Sequence, residues 1–240
     1  MASTIVIKDV CKSFGKKVVL NHIRLTVESG QIYGLIGPSG SGKTTLVKLI
    51  VGMDRPSQGH IHVLDTPVPH LNLLQNIGYM AQADALYTDL TGEENLAFFA
   101  SLFKLKKEEQ KKRIAYAAEL VNLIPHLKKR VHNYSGGMKR RLSLAVALIQ
   151  DPQVLILDEP TVGIDPELRQ SIWAEIQRLK TAGKTILVTT HVMDEAEKCD
   201  RLAMVRDGEI LTSGTPAELK ERYNITHLEE VFLQTGGKNA

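Results

Sequence analysis

The chain has 240 residues, of which 24% are charged and 43% hydrophobic, as in an ordinary soluble globular protein with a substantial core. The formal net charge of +3 is too small for the basic surface of a nucleic-acid-binding protein, so no nucleic-acid partner is expected. Cys11 and Cys199 form no C-x-x-C pair and are expected to be reduced packing thiols. The sequence contains neither a secretory signal pattern nor an apolar run near the ~20 residues that cross a bilayer. Any action at a membrane would therefore require another chain.

The first part of the chain is rich in strand patterns. The segments STIVIKDVCKSF, KKVVLNHIRLTVE, GQIYGLIG, GHIHVLD and NIGYMAQ are predicted as strands. A helical pattern, KTTLVKLIVGM, begins at Lys43. This alternation indicates an α/β architecture.

Between Leu86 and Ile149 helical patterns replace the strand patterns. Thr91 and Glu94 have the spacing of a capping box before NLAFFASLF. The segment KKEEQKKRIAYAAELVNLI is predicted as an amphipathic helix, with the charge run from Lys104 to Arg113 on its solvated face. The region is predicted to be a helical insert in an α/β core.

The α/β pattern then resumes. VLILDE and KTILVTTH are predicted as buried strands of a parallel sheet, with a helix from Pro166 to before Gly183 between them. Asp207-Gly208 is predicted to be a hairpin turn. Two final helices are predicted to start at Thr215–Glu218 and Thr226–Glu229, before the polar tail TGGKNA.

The segment GPSGSGKTT matches the phosphate-binding pattern G-x-x-x-x-G-K-[ST] between a predicted strand and a predicted helix. Its glycines allow the backbone N–H groups to point at phosphate oxygens, and Lys43 adds a positive charge. The Thr44 hydroxyl is a candidate ligand for Mg²⁺. The predicted phosphate site comprises Gly37, Pro38, Ser39, Gly40, Ser41, Gly42, Lys43, Thr44 and Thr45.

Candidate catalytic residues follow the other predicted core strands. Asp158 and Glu159 end the strand VLILDE, where Asp158 is placed to hold Mg²⁺ and Glu159 to polarise an attacking water. His191 follows KTILVTT and is a candidate for contact with the γ-phosphate or that water. Gln82 follows NIGYMA and is a weaker candidate for the same magnesium site.

A second anion cradle is predicted at NYSGGMKRRLSLAVALI, where Ser135 precedes a helix that is basic at its start. Ser135 can cap this helix or bind phosphate, and Gly136 and Gly137 permit close backbone approach. One chain thus carries two candidate phosphate-binding helix starts.

The order of GPSGSGKTT, Gln82, YSGGM, LILDEP, GID and TTH resembles that of ABC ATPases, and the chain resembles the nucleotide-binding subunit of an ABC transporter over nearly its whole length. The resemblance implies an α/β P-loop NTPase core with an antiparallel β subdomain and a helical subdomain insert. It implies one ABC ATPase domain over residues 1–240, with the helical subdomain at about 86–150 and short C-terminal helices at about 215–235.

The resemblance also assigns roles to matched positions. Ser135, Gly136 and Gly137 form the signature motif, which binds the γ-phosphate of ATP held by the opposite subunit. The implied dimer pairs this chain with a second copy or a homologous ATPase subunit around two ATP molecules and Mg²⁺. The remaining assignments are Lys43, Gln82, Glu159 and His191 in catalysis, Thr44, Gln82 and Asp158 at the metal, Phe14 and Val19 at adenine, and Asp165 in the interface loop.

Three positions depart from the commonest family pattern. Phe14 stands where Tyr is commoner, and Tyr134 and Met138 replace the Leu and Gln of the usual signature. Ser135 and both glycines remain, so activity is expected to be retained, with altered packing at Tyr134.

The resemblance extends to exporter ATPases of the drug-resistance and ABC-2 type through SGGMKRRL, EPTVGID and LEEVFLQTG. It implies a separate transmembrane permease and a cytoplasmic location on the inner face of the membrane. The alternative is a soluble ABC ATPase in translation or DNA maintenance, although Thr44 and Ser135 are too close for a long coiled coil between them. A GTPase or small kinase is a further class, disfavoured by the lack of Asn-Lys-x-Asp. His60 and His62 lie on one face of a predicted strand and could ligate a metal, but an exposed strand is the favoured explanation.

Overall fold

The computed structural model describes residues 2–236, so residues 237–240 of the predicted polar tail lie outside the described residues. The strands are β1 (Ser3–Phe14), β2 (Lys17–Glu28), β3 (Ile32–Ile36), β4 (Gln58–Val63), β5 (Thr66–Pro67), β6 (Ile77–Met80), β7 (Val154–Asp158), β8 (Thr185–Thr190), β9 (Arg201–Arg206) and β10 (Glu209–Gly214). The helices are α1 (Lys43–Val51), α2 (Gly92–Leu102), α3 (Lys107–Leu120), α4 (Gly136–Ala147), α5 (Pro166–Thr181), α6 (Met193–Ala196), α7 (Pro216–Tyr223) and α8 (Glu229–Gly236). Short 3₁₀ turns occupy Leu71–Gln75, Ile124–His126 and Val131–Asn133.

The described residues form two compact units. The first unit contains the residues up to Leu71 and those from Thr185 onward, and the second unit is Asn72–Lys184. No helix among residues 2–236 is both long and apolar enough to span a bilayer.

An antiparallel sheet in the first unit has the strand order β2-β1-β4-β5. Alternate residues of β1 and β2 are buried, and the long hairpin between them pairs from Phe14↔Lys17 to Ser3↔Glu28. This period-two burial is typical of strands with one buried face, and the sheet is the predicted antiparallel β subdomain.

A second group of strands in the first unit has the order β10-β9-β3-β8. Strand β3 is buried at all five positions because parallel strands β8 and β9 lie on both sides of it. The predicted hairpin is confirmed: Asp207 and Gly208 join β9 to β10 with φ values of 49° and 78°, which match the right-handed twist of the paired strands.

The C-terminal helices pack against the end of β3. Leu219 of α7 and Val231 of α8 share a buried cluster with Ile36, the last residue of that strand. The predicted capping box at Thr215 and Glu218 is confirmed. The predicted Thr226–Glu229 start is displaced by one residue, since the backbone N–H of His227 donates to the Glu230 carboxylate and α8 begins at Glu229.

The second unit contains the parallel pair β6 and β7 and helices α2 to α5. The capping box of α2 is confirmed, with Thr91 and Glu94 each accepting the other's backbone N–H. Pro166 is the first residue of α5, where its missing N–H has no intrahelical partner to lose.

The charge run from Lys104 to Arg113 was predicted to face solvent, and this prediction is wrong for Arg113. Its side chain donates to the carbonyls of Leu148 (2.6 Å) and Ile149 (3.2 Å), at the end of α4. Its guanidinium also lies 5.0 Å from the ring centroid of Tyr116. The helical period turns position 113 toward α4, whereas Lys111 and Lys112 face solvent.

Candidate functional site

The predicted phosphate loop follows β3 directly and leads into α1. A Cβ atom at Gly37 would lie 2.0 Å from the carbonyl oxygen of Val205, so only glycine fits there. Gly42 has φ 104° and caps α1 without any side-chain hydrogen bond. The first turn of α1 contains no acidic residue, and its N-terminal N–H groups are therefore suited to an anion.

Lys43 and Ser41 complete this cradle. The Lys43 side chain is buried against its own loop, with Nζ donating to the carbonyls of Gly37 (2.7 Å) and Pro38 (3.0 Å). The buried Ser41 Oγ has no hydrogen-bond partner among the described residues. A cation within the loop, a hydroxyl with no hydrogen-bond partner and the exposed loop positions 38–40 fit a polyphosphate ligand.

The structure places His191 beside the start of the phosphate loop. Strands β3 and β8 are parallel neighbours, and their last residues, Ile36 and Thr190, are paired. Gly37 and His191, the next residue of each chain segment, therefore lie at the same edge of the sheet. An open cavity of about 300 Å³ is lined by Gly37, Pro38, His191, Met193, Arg206 and Phe232. The imidazole of His191 is exposed and accessible to a bound phosphate.

The two predicted adenine-side residues lie in the first unit. Phe14 ends β1 with 54% of its surface exposed, and the Lys12 ammonium lies 4.8 Å from its ring centroid. The Val19 carbonyl is 3.1 Å from the Cβ position of Gly42, so Val19 borders the phosphate loop. The exposed aromatic face of Phe14 can accept a stacked base.

The predicted catalytic carboxylates lie in the second unit at the end of β7. Asp158 is fully buried, and Glu159, half-buried, has the left-handed φ of 53° that is uncommon outside glycine. Gln82 follows β6, and its Nε2 is 3.5 Å from Glu159 Oε2. The structure thus brings Gln82 and Glu159 together. Burial, with a contribution from the Asp158 carboxylate, raises the pKa of the adjacent Tyr79 to about 12 and keeps its phenol neutral.

Arg140 is a site residue that the sequence analysis missed. Its guanidinium donates to the carbonyls of Ala81, Gln82, Asp158 and Glu159, the residues that follow or end β6 and β7. Burial lowers the pKa of Arg140 from its ordinary value, and the carboxylates of Asp84, Asp158 and Glu159 oppose that shift. An arginine within a basic run of the helix gave no sequence signal that distinguished it from its neighbours.

The predicted signature residues begin α4. Ser135 caps the helix and accepts a hydrogen bond from the Met138 N–H at 3.3 Å. A Cβ at Gly136 would meet nothing within 4 Å, and one at Gly137 would lie 3.6 Å from the Gly163 carbonyl. The helix start is therefore sterically open to an incoming anion.

Asp165 and Tyr134 have structural contacts of their own. Asp165 caps α5 by accepting from the Leu168 N–H at 2.9 Å. The Tyr134 hydroxyl donates to the His126 carbonyl at 2.8 Å, and its ring is buried. Tyr134, the residue before the signature serine, is thus held by a hydrogen bond that a leucine side chain could not form.

No cluster of three or more His, Cys, Asp or Glu side chains suited to a metal ion occurs among residues 2–236. His60 and His62 accordingly belong to no such cluster. Mg²⁺ takes one or two carboxylates and otherwise uses phosphate oxygens and water, so a magnesium site does not require a cluster of three such side chains.

Comparison with known proteins agrees with these motifs. The family model described as "ABC transporter" matches residues 20–162. The chain is 45% identical over 213 residues to the Nod factor export ATP-binding protein I of Rhizobium meliloti (strain 1021), covering 88% of this chain and 64% of that protein. It is 43% identical to the protein of that name from Rhizobium sp. (strain N33), covering 93% and 74%. It therefore spans about two thirds to three quarters of the length of these relatives.

The solved structures that resemble this fold are also ATP-binding cassettes. An ATP-binding subunit of an ABC transporter superposes with a TM-score of 0.90 at 26% identity, over 97% of this chain and 99% of that one. A dimeric ATP-binding cassette in a post-hydrolysis state with ADP and Pi superposes with a TM-score of 0.82 at 26% identity, over 88% of this chain and 98% of that one.

The fold and the motifs define an ATP-binding cassette with the predicted α/β core. The chain belongs to the ABC transporter family, as an ATP-binding and ATP-hydrolysing subunit related to exporter subunits. These relatives favour transport over the alternative of a translation or DNA-maintenance ATPase.

Proposed function

We propose that this chain powers export through a separate transmembrane permease, as a peripheral subunit on the cytoplasmic face of the membrane. The observation that carries the proposal is that one chain contains both a complete phosphate loop, in its first unit, and an open, serine-capped helix start, in its second. Two such chains arranged head to tail would each complete the other's ATP site. A dimeric cassette among the solved structures supports the dimer, and relatives named for Nod factor export support the role in export.

In the proposed site, residues 37–45 hold the phosphates of ATP, with Lys43 at the β- and γ-phosphates. Phe14 stacks on adenine and Val19 contacts its edge. Ser135, Gly136 and Gly137 of the partner subunit bind the γ-phosphate through the open start of α4, and Asp165 lies in the interface loop.

The proposed chemistry is general-base hydrolysis. Glu159 accepts a proton from the attacking water, and Gln82 and His191 orient that water or the γ-phosphate. Thr44, Asp158 and Gln82 are the proposed Mg²⁺ ligands, directly or through water. Mg²⁺, when bound, neutralises the charge that develops on the phosphate oxygens.

The first test is Glu159→Gln, which keeps the shape of the side chain and removes the base. We expect ATP binding to be retained, turnover to fall at least about 100-fold, and an ATP-bound dimer to accumulate in size-exclusion chromatography. Glu119→Gln, the same change on the exposed end of α3, is the control and should leave all three measurements unchanged. A Glu159→Gln variant that hydrolyses ATP normally would refute the assignment of the base.

Lys43→Ala tests the phosphate loop and should weaken ATP binding in the monomer.

Affinity purification from detergent-solubilised cells tests the partner. A polytopic membrane protein in stoichiometric amount supports the exporter, whereas ribosomes or DNA-repair factors in its place would support the alternative class.

A further inference from the structure

The geometry around Arg140 points to a role in the reaction that extends beyond packing. The Arg140 side chain is 8% exposed. Its Nη1 donates to the carbonyls of Ala81 (2.6 Å) and Gln82 (2.9 Å), and its Nη2 donates to those of Asp158 (2.5 Å) and Glu159 (2.6 Å). One planar guanidinium thus binds two pairs of consecutive carbonyls.

Each pair of carbonyls flanks one residue of the proposed site. The relative orientation of the Asp158 and Glu159 carbonyls is set by φ and ψ of Glu159, and that of the Ala81 and Gln82 carbonyls by φ and ψ of Gln82. A donor that binds both members of a pair therefore fixes the backbone of the residue between them. Glu159 needs such a constraint because its φ of 53° is unfavourable for a residue with a Cβ.

The same guanidinium belongs to the helix that Ser135 caps. Arg140 lies in the second turn of α4, and one turn further along the Ser143 hydroxyl donates to Asp84 Oδ1 at 2.8 Å. Asp84 Oδ1 is also 3.7 Å from Arg140 Nη1. Two side chains of α4 therefore hold the segment that contains Gln82.

We propose that Arg140 is a positioning residue for ATP hydrolysis: it holds the backbones of Glu159 and Gln82 in their working orientation and joins both to the signature helix. The inference rests on the proposed function of Glu159 as the general base. Lysine cannot replace arginine in this role, because an ammonium offers a single point from which four carbonyls in two fixed pairs cannot all be reached.

The test compares Arg140→Lys with Arg141→Lys in the full chain. Arg141 is the matched control because it is the next residue of α4 and donates to two carbonyls, those of Val121 and Asn122, that lie away from Gln82 and Glu159. We expect Arg140→Lys to lower kcat about 10- to 100-fold, as for a displaced catalytic group, with the Kd for ATP unchanged. Arg141→Lys should retain kcat. Rates are expressed per subunit that binds ATP, so partial unfolding does not count as lost catalysis.

Chemical rescue of Arg140→Ala provides a second readout. Guanidinium ion, added below denaturing concentrations, should restore part of its kcat, and ammonium ion should not. If Arg140→Lys keeps its kcat per ATP-binding subunit, or if guanidinium fails to restore Arg140→Ala, the inference is overturned. Glu159→Gln is run in the same assay: hydrolysis by that variant would refute the proposed function itself, whatever Arg140 does.

Discussion

At the residue scale, Gly37 and Gly136 are both glycines of predicted phosphate-binding segments, but they are glycines for different reasons. A side chain at Gly37 would collide with the Val205 carbonyl of its own subunit, whereas a side chain at Gly136 would enter open space. The first constraint is internal to the fold. The second has no internal cause among the described residues, so we attribute it to the proposed ligand and partner.

This contrast yields a paired prediction. Gly37→Ala should lower the free energy of unfolding by about 1–3 kcal/mol, as overpacking does against an immobile backbone. Gly136→Ala should change it by less than about 1 kcal/mol, because alanine favours the helix and meets no neighbour. Chemical denaturation measures both values.

Gly136→Ala should nevertheless impair function. Gly136→Ala should bind ATP as a monomer with unchanged affinity, yet hydrolyse it slowly because the added methyl group would face the partner's γ-phosphate. Normal turnover by Gly136→Ala would contradict the proposed role of the signature in the partner's site.

At the element scale, the start of α2 and the segment before α4 fit together through one pair of residues. A Cβ at Gly92, the first residue of α2, would lie 2.3 Å from the Tyr134 hydroxyl. The unusual tyrosine before the signature serine thus requires glycine at position 92, and its hydroxyl is held by the His126 carbonyl.

A double-mutant cycle tests this dependence. Gly92→Ala alone should destabilise the chain by about 1–3 kcal/mol through the clash with Tyr134. In a Tyr134→Leu background the same change should cost much less, giving a coupling energy of about 0.5–3 kcal/mol. Thermal and denaturant unfolding of the four proteins measure the coupling. Additive effects would show that the clash is relieved elsewhere.

The elements also show what could be predicted from sequence. Local motifs were predicted correctly because they depend on residues within a few positions of one another. They are the phosphate loop, the capping boxes at Thr91 and Thr215, and the hairpin turn at Asp207. The buried strands β3, β7 and β8 were also predicted, from their runs of aliphatic residues.

The contacts of Arg140 and Arg113 were not predicted, because their acceptors lie far away in sequence. Arg140 binds carbonyls 18, 19, 58 and 59 positions away, and Arg113 binds carbonyls 35 and 36 positions away. Every residue has a backbone carbonyl, so the residue types in the sequence do not show which carbonyl accepts a hydrogen bond. An arginine whose hydrogen bonds go mainly to backbone carbonyls therefore looks like any charged residue of a helix.

At the scale of the whole molecule, the proposed head-to-tail dimer makes each ATP site depend on two chains. Lys43→Ala and Ser135→Arg should each abolish hydrolysis alone. Mixed, they should regain up to about a quarter of the wild-type rate, since half of randomly formed dimers would contain one intact site. Steady-state ATPase assays of the separate and mixed proteins measure this.

The control mixture contains Lys43→Ala and the double variant Lys43→Ala/Ser135→Arg. No dimer formed in it contains an unaltered phosphate loop, so no activity should return. Recovery in this control, or none in the first mixture, would contradict a site shared between two chains.

The two ends of α4 have a mechanical consequence. Arg140 ties its second turn to the segments after β6 and β7, and Arg113 ties its last carbonyls to α3. A helix held near both ends cannot slide along its axis or turn about it without breaking hydrogen bonds to a buried guanidinium. Within the second unit, the helix that Ser135 caps is thus joined to the backbone of Gln82. Displacing the segment around Gln82 relative to Ser135 would therefore require breaking the hydrogen bonds of Arg140.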